Sequence, residues 1–315
     1  MHDMDSVAEQ VKLERLLDVP ENSLAFIAEQ PANATRAFRE QLAEVFYLRH
    51  QDAFSRLAGL SKLLPLGASA KLATSLLGPV LAAGIACELP PERAAKLADK
   101  LPTNFLAKLS LYLDPRRAGP IISAVSENHI VAVADLLSER QEFVTLARFV
   151  TAISRTALRR IIDNAGSDGY GLLKTGMFIE DKTVIDSLLR QLTDTQKDSL
   201  MGAATEHGLW PEMLSLITYL KPDMQILMAN LAGQQPAEVR EKLLRSVFEQ
   251  DTWQPLFVAL AVMNDDNLKR SANLPSMHDQ ALLRRLIERA REFDLEKELS
   301  PLLGYLNADQ KALIA

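Results

Sequence analysis

The sequence predicts an all-α fold: a right-handed superhelical solenoid of short antiparallel helices, led by one long N-terminal helix. Three observations predict it. A helix-sized motif recurs every twelve residues, with Leu89, Leu101, Leu113, Val125 and Leu137 each ending a unit. Start signals follow each of them: Pro90-Pro91, Pro102-Thr103, Asp114-Pro115, Ser126-Glu127 and Ser138-Glu139. Proline costs nothing in a helix's first turn, and Asp or Ser just ahead of that turn accepts a bond from its free amides. Within each unit the apolar residues fall at i, i+3, i+4 and i+7, which is one helical face. No stretch alternates apolar and polar residues with β-branched enrichment, so no sheet is expected.

The four copies of that face are Ala94, Leu97, Ala98, Leu101; Leu106, Leu109, Ser110, Leu113; Ala118, Ile121, Ile122, Val125; and Ile130, Val133, Ala134, Leu137. A helix of about ten residues is roughly 15 Å long and too short to persist alone in water. Connections of about two residues force consecutive helices to turn back and stack, the condition for a solenoid.

Taken in order, Val7 to Asp18 reads as an amphipathic helix through Val7, Val11, Leu13, Leu16 and Leu17, and Ser23 to Glu29 as a short second one. From Asn33 to Ala58 there is neither Pro nor Gly, which predicts a helix of about 40 Å. Its aromatic edge includes Phe46 and Phe54, a face to cap the array or to pair two copies of the chain. Ser61 to Cys87, punctuated by Pro65, Gly67, Gly78-Pro79 and Gly84, reads as small-residue helical hairpins. Beyond Ser138 the period loosens. Starts are expected near Thr151, Thr193 with Gln196, Pro211, Pro222, Pro236, Asp251 with Gln254, Ser276 with Asp279, Ser300-Pro301, and Asn307 with Gln310. Breaks are expected at Gly166 to Gly176 and at Asn264 to Asn267. Three regions follow: 1–87 with the long helix, 88–165 with regular repeats, and 166–315 with looser repeats and a C-terminal cap.

Composition narrows the class. The 315 residues are 48% hydrophobic, 24% charged and 6% aromatic, too apolar for disorder and suited to Leu and Ala helix contacts. A net charge of −6 argues against phosphate-backbone binding, so nucleic acid is disfavoured. One cysteine, Cys87, rules out an internal disulfide framework, and in its apolar run it reads as an inert buried thiol. The start lacks the pattern of a signal peptide, and the longest uncharged run, Leu72 to Cys87, falls short of the about twenty residues of a membrane span. A cytoplasmic protein with no transmembrane segment is expected.

The run Leu89-Pro90-Pro91-Glu92-Arg93-Ala94-Ala95-Lys96-Leu97, then Leu101-Pro102 and Leu113-Asp114-Pro115-Arg116-Arg117-Ala118, resembles the cytosolic N-terminal domain of MgtE-type magnesium transporters. It covers Leu89 to Val150 best and is fainter from Leu192 to Ala232. The resemblance implies short paired helices in a superhelix, in the manner of HEAT and armadillo arrays, and is similar to the helical repeats of flagellar motor-switch proteins. The transporter's membrane helices and regulatory pair have no counterpart here, so transport is not implied.

Chemistry is sparse. Gly166-Ser167-Asp168-Gly169-Tyr170-Gly171 could cradle phosphate, but no strand precedes it and Lys174 lacks the Gly-Lys-Ser/Thr context, so a flexible connection is expected. Asp163, Asp168, Glu180 and Asp181 match no ligand loop for a hard cation and read as solvated loop charge. The histidines form neither His-x-x-x-His nor His-x-Glu, and there is no Gly-x-Ser-x-Gly elbow. No catalytic residue, cofactor site or metal site is assigned, and no enzyme is expected. A basic face of Arg148, Arg155 and Arg159 with Arg160 is the candidate for an anionic partner, against a plain solvated face.

Two functions fit. One is a non-enzymatic helical-repeat scaffold or adaptor that holds a protein or peptide partner in its groove, with Arg148, Arg155, Arg159, Phe46 and Phe54 as candidate contacts and a possible homodimer through the long helix. The other is an all-helical sensor of a divalent cation or small apolar ligand, placed between Gly166 and Trp210.

Overall fold

The structure, a computed structural model, describes residues 4–314. Those residues form α-helices joined by short 3-10 and π turns, with no strand among them. The chain divides into two compact units, one of Met1–Gly166 with Lys174–Glu180, the other of Ser167–Leu173 with Asp181–Ala315.

The first unit begins with α1 (Met4–Leu17), a 3-10 turn at Ala25–Glu29 and the long helix α2 (Ala32–Leu63). Leu66 to Cys87 follows as α3 (Leu66–Leu72), a π turn (Ala73–Leu77) and α4 (Gly78–Cys87). Gly78 has φ +72°, a backbone state that breaks helical continuity and that only glycine adopts without cost. Four short helices come next: α5 (Pro91–Ala98), α6 (Thr103–Ser110), α7 (Pro115–Ala124) and α8 (Glu127–Glu139). Their N-caps are Pro90, Pro102, Asp114 and Ser126, so the twelve-residue cadence sets four successive starts. α4 packs on α6, α5 on α7 and α6 on α8, each helix meeting the one two places further along.

The cadence stops at Ser138, which is not a start. It lies inside α8, and its carbonyl accepts from Gln141 N–H while the Leu137 carbonyl accepts from Glu142 N–H, both at 2.9 Å. With Gln141 at φ +58°, this pair of bonds closes a helix C-terminus. The Ser-x-x-Gln spacing that resembles a capping box is instead the last turn of α8. Next come α9 (Phe143–Phe149) and, after a 3-10 turn, α10 (Arg155–Ala165), capped by Ser154 rather than opened at Thr151.

α1 differs from the amphipathic expectation. Leu13 is fully buried, but so are Glu9, Lys12 and Glu14. Glu9 accepts from Lys12 (2.7 Å), Arg36 (3.2 Å) and Arg39 (3.0 Å), and Arg39 also reaches Glu180 (2.8 Å). Glu180 is therefore a structural ion-pair partner, not solvated loop charge. Burial pushes its pKa up, but Lys12, Arg39 and Arg36 together hold it below the ordinary carboxylate value. Burial lowers the pKa of Lys12, outweighing the pull of Glu180 and Glu9.

The glycine-rich stretch opens a helix, α11 (Gly169–Phe178), with Asp168 accepting from Gly171 N–H at 2.9 Å. A Cβ on Gly169 would sit 2.0 Å from the Ser199 carbonyl oxygen, so glycine there serves a close backbone approach rather than flexibility.

The second unit contains α12 (Ile185–Leu189), α13 (Asp194–Glu206), α14 (Trp210–Ile217), α15 (Pro222–Gln234), α16 (Ala237–Gln250), α17 (Trp253–Val262), α18 (Asp265–Ala272), α19 (Gln280–Glu292), α20 (Glu296–Gly304) and α21 (Ala308–Ala312). Reciprocal capping boxes form at Thr193 with Gln196 and at Asn307 with Gln310. Three expected starts shift. Asp251 ends α16 in the left-handed region, Asp279 rather than Ser276 caps α19, and Pro301 lies within α20. Asn264 caps α18 instead of marking a break. The core holds Trp210, Trp253, Phe257, Met228 and Met277.

Candidate functional site

The apolar faces of the four repeats converge on one chamber of about 450 Å³ inside the first unit. α5 contributes Ala94, Leu97 and Ala98, α6 Leu106 and Leu109, α7 Ile121 and Ile122, and α8 Ile130, Val133 and Ala134. The i, i+3, i+4, i+7 spacing puts these residues on one side of each helix, and stacking points the sides inward. Phe149 and Ile153 close one wall, and the C-terminal turns of α2 with α3 and α4 form another. Polar lining is limited to Ser61, Ser69, Ser110 and His129. Ser110 Oγ donates to the Ala107 carbonyl (2.8 Å), and His129 Nδ1 lies 2.8 Å from Ser126 Oγ and 3.1 Å from Asp99. Ser110 and His129 are thus engaged with their own helices or neighbours, whereas the buried Ser61 hydroxyl has no hydrogen-bond partner among the described residues.

The volume decides between packing defect and pocket. Interiors hold few voids larger than a water molecule, and an engineered cavity of about 150 Å³ with such a lining stays dry and admits benzene. At about 450 Å³ the chamber falls in the range of small-molecule pockets, roughly 300–1,000 Å³. Its mouth is rimmed by Leu60, Leu63, Leu64 and Leu72, which line the chamber and are also exposed, Leu63 at 81%.

Polar contacts outside the chamber fix its walls. Arg93 donates to the carbonyls of Ser61 (2.5 Å) and Leu64 (2.9 Å), joining the start of α5 to the end of α2. Glu88, at the end of α4, accepts from Tyr47, Gln51 and Ser55 of α2. Hydrogen bonds from Ser55 and Tyr47 hold Glu88 below the ordinary carboxylate value, while burial and the bond to Glu88 push Tyr47 up. Asp114 accepts from Arg116 N–H (3.0 Å) and pairs with Arg117, whose guanidinium carbon lies 3.9 Å from the Tyr47 ring centroid. Burial pushes the half-buried Cys87 thiol up to about 11, away from nucleophile chemistry.

The structure separates the candidate contact residues. Arg148 is on α9 and donates to the Leu113 carbonyl at 3.0 Å, and burial lowers its pKa. Arg155 and Arg159 are on α10, and Arg159 pairs with Asp163 at 3.0 Å. The three arginines thus do not share one helix. Phe46 is exposed on α2, whereas Phe54 packs over Gly84. The chamber lies outside the Gly166 to Trp210 stretch considered for an apolar ligand. No group of three or more His, Cys, Asp or Glu side chains able to hold a metal occurs among the described residues. Sequence reasoning identified the chamber's walls but missed its mouth, whose signal is the run of leucines from Leu57 to Leu66.

No protein-family model, curated protein or solved structure matches the chain.

Proposed function

We propose that this chain is a non-enzymatic binding module whose first unit takes an apolar guest into the chamber. What carries the proposal is a single observation: a chamber of about 450 Å³ whose only polar lining residues are three serines and one histidine. Such a lining selects by shape and apolar area rather than by hydrogen bonds, which suits a hydrocarbon chain. The guest binds by displacing water from apolar surface, and no bond is made or broken. The four regularly spaced starts and the contacts between helices two apart support reading the first unit as a superhelical repeat array. A second reading, a partner's amphipathic helix seated in the groove, is favoured by the exposed leucines at the mouth, which extend the apolar surface beyond the chamber itself.

Thermal unfolding with saturating cis-parinaric acid tests the proposal. A bound guest raises the unfolding midpoint, its stabilisation growing with the logarithm of one plus ligand concentration over Kd. An unchanged midpoint at every concentration would overturn it.

A further inference from the structure

The mouth of the chamber carries both apolar and cationic groups. Leu60, Leu63, Leu64, Leu72, Leu76 and Val80 are exposed there or beside it, Leu76 at 75%. Between Ala53 and Cys87 the chain has no Asp or Glu, yet it has Arg56, Lys62 and Lys71, all exposed. In a chain of net charge −6 this is a local excess of three positive charges. None of the three makes an ion pair among the described residues.

We propose that this face docks on an anionic lipid bilayer, and that the chamber behind it receives an acyl chain from that bilayer. The proposal rests on the binding-module reading and names its guest. Three observations favour lipid over a protein partner. Protein interfaces are enriched in Tyr, Trp, Phe, Met and Arg and depleted in Lys at their cores, whereas the exposed residues of this face are five leucines and a valine with two lysines and one arginine, Arg56. An anionic leaflet complements Arg56, Lys62 and Lys71, each cation near it strengthening binding about fivefold. The residues that rim the opening, Leu60, Leu63, Leu64 and Leu72, also line the chamber, so an acyl chain passes from hydrocarbon to an apolar wall without crossing water.

The face lies on the bilayer rather than crossing it. Leu66–Cys87, at 22 residues, is long and apolar enough to cross by length and composition alone. The π turn at Ala73–Leu77 and the positive φ of Gly78 divide it into pieces, each shorter than the about twenty helical residues a span needs. Short apolar pieces, with Lys62 on α2 and Lys71 on α3 able to keep their ammonium groups at the water boundary, suit the interface plane.

The test is co-sedimentation of the full chain with vesicles of phosphatidylcholine alone or with about one third phosphatidylserine. The proposal expects binding to the anionic vesicles, weakened by salt, and little to the neutral ones. K62E/K71E and L76D alter exposed side chains outside the chamber. Each is expected to weaken vesicle binding about tenfold or more while keeping helix content and cis-parinaric acid binding. No sedimentation with either vesicle while cis-parinaric acid still binds would overturn lipid docking and leave the binding module standing. Vesicle binding without cis-parinaric acid binding would overturn the acyl-chain guest. Concentration-dependent self-association abolished by L76D, with no vesicle binding, would assign the face to a second copy of the chain.

Discussion

The Arg93 guanidinium donates to the Leu64 carbonyl at 2.9 Å and to the Ser61 carbonyl at 2.5 Å, the latter also accepting from Leu64 N–H, so one side chain from α5 binds two carbonyls where α2 ends. That contact holds the leucine-rich end of α2 against the repeats and so sets the width of the mouth. Arg93→Ala is expected to lower stability by about 1–2 kcal/mol, since hydrogen bonds to a charged donor are worth more than neutral ones. Arg93→Lys should recover part of this, because both bonds leave a single guanidinium nitrogen, Nη2, whose place an ammonium with three donors takes as far as its shorter stem reaches. Urea midpoints of the two variants check the ranking.

Gly84 and Phe54 fit so closely that a Cβ on the glycine would lie 2.5 Å from the ring. Gly84→Ala is therefore expected to destabilise by about 1–3 kcal/mol through overpacking between α4 and α2. Phe54→Leu frees the space, so the double variant should cost less than the sum of the single ones. Additive costs in a double-mutant cycle would show that the two sites are uncoupled.

Asp114 and Ser138 occupy equivalent places in the cadence yet do different work. Asp114 caps α7 and pairs with Arg116 and Arg117, so Asp114→Ala should cost about 2 kcal/mol. Ser138 caps nothing, so Ser138→Ala should be neutral or slightly stabilising. Gln141→Gly should gain up to about 1 kcal/mol by relieving a positive φ, less the chain entropy glycine adds when unfolded. Chemical denaturation of the three variants gives the order directly.

Acid should unfold the chain through its paired carboxylates. Burial raises the pKa of Asp114, but bonds from Arg116 and the charges of Arg116 and Arg117 leave it below its ordinary 3.8. Hydrogen bonds from Arg190 hold Asp186 below the same value, and Glu180 lies below its own ordinary 4.5. A carboxyl with a lower pKa folded than unfolded binds its proton less readily when folded. Its contribution is complete above the unfolded value and disappears as pH falls through the folded one. Stability is thus expected to be level from neutral down to about pH 5 and to fall below about pH 4. Asp114→Asn should reduce the fall, read as urea midpoints across a pH series.

The starts at Pro90, Pro102 and Asp114 were legible because proline and the Asp114 side chain act locally, within one helical turn, while Ser126 opens the fourth without a side-chain cap bond. The inward faces were legible for the same reason, since a 3.6-residue period depends only on the chain's own geometry. Ser138 was misread because Ser-x-x-Gln also fits a C-terminal turn, and the choice depends on Gln141 taking a left-handed φ that the sequence does not announce. The buried charges of α1 escaped notice because Glu9 is neutralised by Arg36 and Arg39, which are 27 and 30 residues away. Spacing specifies which residues point inward but not whether they fill the space between helices, so the chamber itself was not legible.

Titration of cis-parinaric acid against the wild-type chain and Ala98→Phe/Ala134→Phe, with thermal midpoints for both, tests the central claim most directly. Both alanines are buried and line the chamber, so the added rings occupy the volume assigned to the guest. The wild type should show one saturable site, and the variant should bind at least about tenfold more weakly, roughly 1.4 kcal/mol, while remaining folded. Undiminished binding by the folded variant, or no saturable site in the wild type, would contradict the claim.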